Sequence, residues 1–178
     1  ILAFAFFLVS AAFVYSANEK EVIFWPPAPA ETKIMFVNSV YSPRDIGIKP
    51  GFFKKLKELI IGEEKVTLNK PIAVATDSQK AIYICDPGGP AIYIFQPQEK
   101  SYKKIIAINK EKLISPVAAA VSKEGLLFVA DSGLRKVFCL NRDGVYQFTV
   151  GDKKILRPTG LAVGENRLYV VDTMSHCV

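Results

Sequence analysis

The chain has 178 residues, half of them apolar, 22% charged and 11% aromatic, and a net charge of +6. This composition can bury a core, which excludes intrinsic disorder; 11 Gly and 11 Pro exclude a collagenous or low-complexity chain, and three Cys are too few for a disulfide scaffold. The excess of Lys is interspersed with Glu, so it reads as a solvated surface and not as a nucleic-acid footprint.

Residues 1–17 (ILAFAFFLVSAAFVYSA) carry no charge. Such a run barely spans a bilayer as a helix and equally matches the apolar region of a secretory signal. Ser16 and Ala17 suit a cleavage site, which favours a cleaved signal peptide over a retained anchor. Either reading exports the remainder to the periplasm, the cell surface or the medium, with the membrane touched only through this segment. Position 1 is not Met and the chain stops at Val178 inside a repeating pattern, so it reads as the N-terminal part of a longer protein.

Residues 18–33 form a Pro-rich spacer. Trp25-Pro26-Pro27-Ala28-Pro29 is expected to be extended, because each Pro fixes its own φ and biases its predecessor away from helix. In the next segment, 34–69, a strand is expected from Lys33 to Tyr41. A short helix follows, with Phe52, Leu56, Leu59 and Ile60 at i, i+4, i+7 and i+8 on one face, between Pro50 and Gly62. At about three turns it suits packing on the main domain better than independent membrane binding.

From residue 70 to 178 the chain repeats itself. Pro71, Pro116 and Pro158 each open an apolar run, and a second run ends in Asp86, Asp131 or Asp172. Pro to Asp spans 15, 15 and 14 residues, and Pro to next Pro spans 45 and 42. An aliphatic residue stands six after each Asp, at Ile92, Val137 and Val178. The runs are short, rich in Ile, Val, Tyr and Phe, and separated by turns, so they are strands. They are apolar at consecutive positions, so each strand is covered on both faces. The period suffices for four antiparallel strands stacked face to face with the next unit. In the second unit these are Val117–Val121, Leu126–Asp131, Lys136–Leu140 and Tyr146–Val150. The Pro begins the inner edge strand, where a missing N–H is tolerated, and the Asp caps the turn that follows it.

These residues resemble the NHL repeat, whose pattern runs roughly P-x-G-I-A-V-D, then G-x-I-Y-V-A-D-[ST]-x-N-H-R-V. The third copy is the nearest, with Pro158-Thr159-Gly160-Leu161-Ala162-Val163, Leu168-Tyr169-Val170-Val171-Asp172-Thr173 and Ser175-His176-Cys177-Val178. The second keeps Asp131-Ser132-Gly133 and Arg135-Lys136-Val137. The first departs most, with Pro87 and Pro90 in its turn. The resemblance implies an all-β, six-bladed, TolB-like β-propeller, here with two complete blades and half of a third. It also implies that the Ile34–Tyr41 strand completes the last blade of the whole protein.

No motif names a nucleophile. His176 is the sole histidine and, in the family pattern, holds a turn position. Cys85, Cys139 and Cys177 lack C-x-x-C spacing; their odd number in an exported chain permits one disulfide with one free thiol, and the favoured reading is buried free cysteines acting as small apolar residues, Cys85 in its apolar strand above all. The recurring aspartates argue for a role in building each unit. No cofactor is implied by the residues present; calcium or zinc would need ligands from further blades. Because adjacent strands are antiparallel, Lys70, Ser115 and Arg157, just before each Pro, lie at the same end as Asp86, Asp131 and Asp172. The turns carrying Arg135 and His176 share that end. Lys70, Arg135, Arg157 and His176 therefore mark the expected partner-binding face. The expected function is a non-catalytic binding module for a protein or carbohydrate at the cell envelope. The alternatives are a metal-dependent lyase or lactonase of the kind found on related propellers, and a membrane-tethered sensor.

Overall fold

The Pro and Asp positions that mark the repeats bound a set of antiparallel ladders. The computed structural model describes residues 23–27, 29–49, 66–151 and 154–178. The charge-free run 1–17 and the helix expected over Phe52–Ile60 lie outside the described residues. No helix long and apolar enough to cross a membrane occurs among the described residues. The backbone separates into two compact units, one ending at Asn38 and one running from Ser39 to Val178.

In the first unit β1 (Phe24–Trp25) pairs with β2 (Ile34–Met35), Phe24 opposite Met35 and Trp25 opposite Ile34. The Pro-rich stretch between them does not run extended as expected. It turns back, with the Ala30 amide on the Pro27 carbonyl and the Lys33 amide on the Trp25 carbonyl. The strand expected from Lys33 to Tyr41 shrinks to Ile34–Met35. Phe36, Val37 and Tyr41 are exposed, so their apolar character finds no face to cover and the ladder ends.

The second unit opens with a 3-10 turn at Pro43–Ile46 closed by Gly47 in the left-handed region. The first repeat then forms a four-stranded sheet of β3 (Ala73–Thr76), β4 (Ile82–Asp86), β5 (Ala91–Gln96) and β6 (Ser101–Ile105). A small hairpin of β7 (Ala107–Ile108) and β8 (Glu111–Lys112) lies in the connection to the second repeat. The second sheet is β9 (Pro116–Val121), β10 (Leu127–Asp131), β11 (Lys136–Leu140) and β12 (Tyr146–Val150), within one residue of expectation at every boundary. The third repeat contributes β13 (Pro158–Gly164) and β14 (Arg167–Asp172). Pro116 and Pro158 begin their strands opposite Asp131 and Asp172, whereas in the first repeat the strand begins at Ala73, two residues past Pro71.

Alternate side chains of each strand enter different cores. Leu127 and Val129 of β10, with Phe138 and Leu140 of β11, pack against Tyr83, Cys85, Ile92 and Ile94 of the first sheet. Their neighbours Phe128, Ala130, Val137 and Cys139 pack toward Leu161, Val163 and Leu168 of the third repeat. Period-2 alternation with both faces buried accounts for the unbroken apolar runs. The outer face of the first sheet is covered by Ile46, Ile48, Val66 and Leu68, which pack on Ile84, Tyr93 and Phe95. The sheets thus stack face to face; the first two bury their middle strands on both sides, whereas β14 does not meet that expectation and leaves Tyr169 and Val171 exposed on one face.

Candidate functional site

Three carboxylates organise one end of the stack. Each is buried and accepts four backbone N–H groups. Asp131 accepts Ile114 on Oδ2 at 2.9 Å, and Ser115, Gly133 and Leu134 on Oδ1 at 3.0, 2.9 and 3.0 Å. Asp86 accepts Asn69 and Lys70 at 2.6 and 2.8 Å, and Gly88 and Gly89 at 3.0 and 3.3 Å. Asp172 accepts Leu156 and Arg157 at 2.7 and 2.9 Å, Met174 and Ser175 at 3.1 and 3.2 Å, and the Ser175 hydroxyl at 2.9 Å. One side chain thereby staples two loops that are 16 or so residues apart: the pair of residues before the Pro and the turn after the Asp. The Leu156 amide, followed by the other donors, holds the Asp172 carboxyl well below the usual carboxylate range despite the opposing effect of burial.

Further bonds reinforce the staple. The Ser132 and Thr173 amides donate to the Ser115 and Arg157 carbonyls at 2.9 and 3.1 Å. Pro87 has no N–H to offer at the matching place in the first repeat. The Ser132 hydroxyl donates to the Pro158 carbonyl and so ties the second repeat to the third. Gly133 is needed for close approach, since a Cβ there would lie 2.4 Å from Ile114 Cγ2.

The expected face residues meet at this end. Lys70 and Arg157 offer their backbone amides to the aspartates and leave their side chains exposed. Arg135 and His176 occupy the fourth position after Asp131 and Asp172, both exposed and both at positive φ, 58° and 53°. Pro90 holds that position in the first repeat. Among the described residues, no group of three or more His, Cys, Asp or Glu side chains gathers around a metal-sized point. Cys85 and Cys139 are buried and Cys177 is exposed, all as thiols. Burial and the neighbouring Asp131 charge push the Cys85 thiol up to about 12, far from a reactive thiolate.

One feature of this end is absent from the sequence reading: large apolar side chains stand exposed among the polar ones. Ile106 (57%), Ile114 (53%) and Met174 (58%) stand out in its loops, with Ile72 and Leu156 beside them in the chain segments that precede each inner strand and Val178 past the last turn. At the opposite end, where the hairpin turns lie, Val145 alone among the described turn residues is a large apolar side chain at such exposure, 53%.

The opposite end is instead bolted by charge. Arg142, in the β11–β12 turn, donates through Nε to Asp77 Oδ2 at 2.9 Å and through Nη1 to Glu99. Asp77 also accepts the Gln79 and Ala81 amides and the Tyr83 hydroxyl. Burial alone would raise the Asp77 carboxyl, but the Ala81 amide and Arg142 outweigh it and hold it low. A cleft of about 600 Å³ lies between the second sheet and the β13–β14 hairpin, bordered by Phe128, Phe148, Val150 and Leu168. It arises because two strands of the third repeat cover a sheet of four.

No protein-family model matches the chain. Among solved structures, a chain from the crystal structure of a nidogen/laminin complex superposes with a TM-score of 0.52 and 24% identity, over 61% of this chain and 41% of that one. Selenomethionine-substituted virginiamycin B lyase from Staphylococcus aureus matches with a TM-score of 0.47 and 12% identity, over 57% of this chain and 34% of that one. This chain therefore spans less than half the length of either. The fold is a β-propeller: repeated four-stranded antiparallel sheets stack face to face, and the nidogen/laminin match has the same arrangement.

Proposed function

We propose that this chain is the NHL-type part of an exported β-propeller whose Asp-bearing end docks a protein partner. The near-constant Pro–Asp offsets support the repeat type, and the charge-free run 1–17 supports export. The observation that carries the docking reading is the exposure of Ile114 and Met174, whose own amides are held by buried carboxylates, with exposed Ile106 tied through its carbonyl to the Leu113 amide next to Ile114. Apolar side chains on preorganised loops lose little entropy on binding and gain by leaving water. The nidogen/laminin neighbour, solved as a complex of two proteins, is in keeping with this use of the fold.

The test is site-specific photo-crosslinking. A photoreactive amino acid replaces Ile114, Met174 or, as control, Val145 in the full-length protein expressed in its own cell. Discrete protein adducts from positions 114 and 174, and none from 145, are the expected outcome. Adducts from 145 alone, or from no position, contradict the reading.

A further inference from the structure

We infer that the segment docking at the Asp-bearing end is acidic: a stretch of protein with Asp or Glu side chains interleaved with aliphatic ones. This rests on the reading of that end as a protein-docking face. The charge at the two ends differs although their loops are built alike. At the Asp-bearing end the described loops carry Lys70, Lys110, Lys112, Arg135, Lys154 and Arg157, all exposed and without an ion-pair partner among the described residues. The carboxylates there are spoken for. Asp86, Asp131 and Asp172 are buried under four amides each, and Glu111 is paired with Lys136 at 2.8 Å. With Lys136 included, seven cations stand against these four carboxylates, three of them buried, so the end keeps a net positive charge and the side chains that solvent meets are mainly cationic.

The opposite end is balanced. Its turns carry Asp77, Glu99, Glu124, Asp143 and Glu165 against Lys80, Lys100, Lys123, Arg142 and Arg167. Arg142 is itself consumed by Asp77 and Glu99. Counted alike, the opposite end has five charges of each sign, so the asymmetry comes from the excess of Lys and Arg at the Asp-bearing end, and the burial of its aspartates leaves the exposed side chains there cationic.

The chemistry also selects among anions. A sulfated polysaccharide or a nucleic acid would match the cations but leave Ile106, Ile114 and Met174 against polar surface. An acidic peptide with aliphatic side chains satisfies both features at once. Arg135 and Arg157 offer planar forks that suit carboxylates in pairs. Long-range attraction to such a segment raises its encounter rate and makes binding salt-sensitive.

The experiment uses the full-length protein and a fluorescent peptide of about ten residues alternating Glu with Leu or Ile, followed by anisotropy. The expected result is binding that weakens about tenfold as NaCl rises from about 20 to about 200 mM, a change that shrinks the screening length severalfold. The same peptide with Gln for Glu should bind at least about tenfold more weakly. The double variant Lys112→Glu with Arg157→Glu should cost about tenfold. Arg135→Asn keeps the left-handed backbone tolerable and should cost a few-fold, which protects the test if the first variant misfolds. Lys123→Glu with Arg167→Glu, at the other end, should leave binding within about twofold. Equal affinity for the Gln peptide, or equal loss from the opposite-end variant, overturns the inference. So does preferential binding of a sulfated polysaccharide that displaces the Glu peptide. Crosslinks from positions 114 and 174 together with an indifferent Glu peptide would refute acidity alone and leave the docking face standing.

Discussion

Replacing Asp131 with Ala removes the acceptor for four amides in one step: Ile114, Ser115, Gly133 and Leu134. The carboxylate is fully buried, so the amides around it cannot all reach water. An unsatisfied buried donor costs about 1–3 kcal/mol, and we expect one or two of the four to stay dry while those nearest the rim rehydrate. The loss is then about 3–5 kcal/mol, a large share of a typical domain's stability. Asp131→Asn separates hydrogen bonding from shape. Its remaining oxygen, placed at Oδ1, keeps three acceptor bonds, while its NH2 faces the Ile114 N–H as donor to donor. The expected cost is smaller, about 1–2 kcal/mol. Urea unfolding of the full-length protein followed by circular dichroism gives both values from the midpoint at unchanged slope. An Ala variant within about 0.5 kcal/mol of the parent, or an Asn variant worse than Ala, would refute the claim that this side chain is the staple of its repeat.

Three further outcomes are expected. Asp172 and Asp77 both have lowered pKa values in the fold, so they add stability that is full above the unfolded Asp value of about 3.9 and is lost as pH falls below it toward their folded values. Urea midpoints from pH 7 to 3 should show this, and Asp172→Asn should flatten the acid limb; an unchanged limb contradicts it. Arg142→Gln should destabilise by about 1–3 kcal/mol by leaving the Asp77 carboxylate buried beside Tyr83, and Asp77→Asn should recover part of that loss in the double variant. A thiol reagent at neutral pH should label Cys177 at once and Cys85 and Cys139 only on unfolding; rapid labelling of all three in the native protein would contradict their burial.

Much of this architecture was legible because it depends on local pattern. The runs ending at Asp86 and Asp131 are dense in β-branched and aromatic residues and are buried on both faces, so pattern and outcome agree, whereas the equally apolar run ending at Asp172 leaves Tyr169 and Val171 exposed on one face. The Asp was read as capping the turn after it, which is a contact two or three residues away. Its grip on Ile114 and Ser115, 17 and 16 residues back, depends on the pairing of two strands and leaves no local trace. The Arg142 bolt was invisible for the same reason, since it joins residues 43 and 65 apart once two repeats have stacked. Apolar content predicts a strand over Ile34–Tyr41, but Phe36, Val37 and Tyr41 have no face to cover and the ladder stops at Met35. The exposed Ile106 and Ile114 could have been suspected from large aliphatics sitting in a connection rather than a strand, yet only their exposure separates them from Ile108 and Leu113, which are buried nearby.

The docking proposed above requires that the buried carboxylates keep the loops of the Asp-bearing end rigid. Amide hydrogen exchange tests it most directly, because loop amides that look solvent-facing should be slow if the claim holds. The amides of Ile114, Ser115, Gly133 and Leu134 should exchange about as slowly as those of β10, and far more slowly than Lys100 in the opposite turn. Exchange of these four within seconds, at the rate of an open loop, would contradict it.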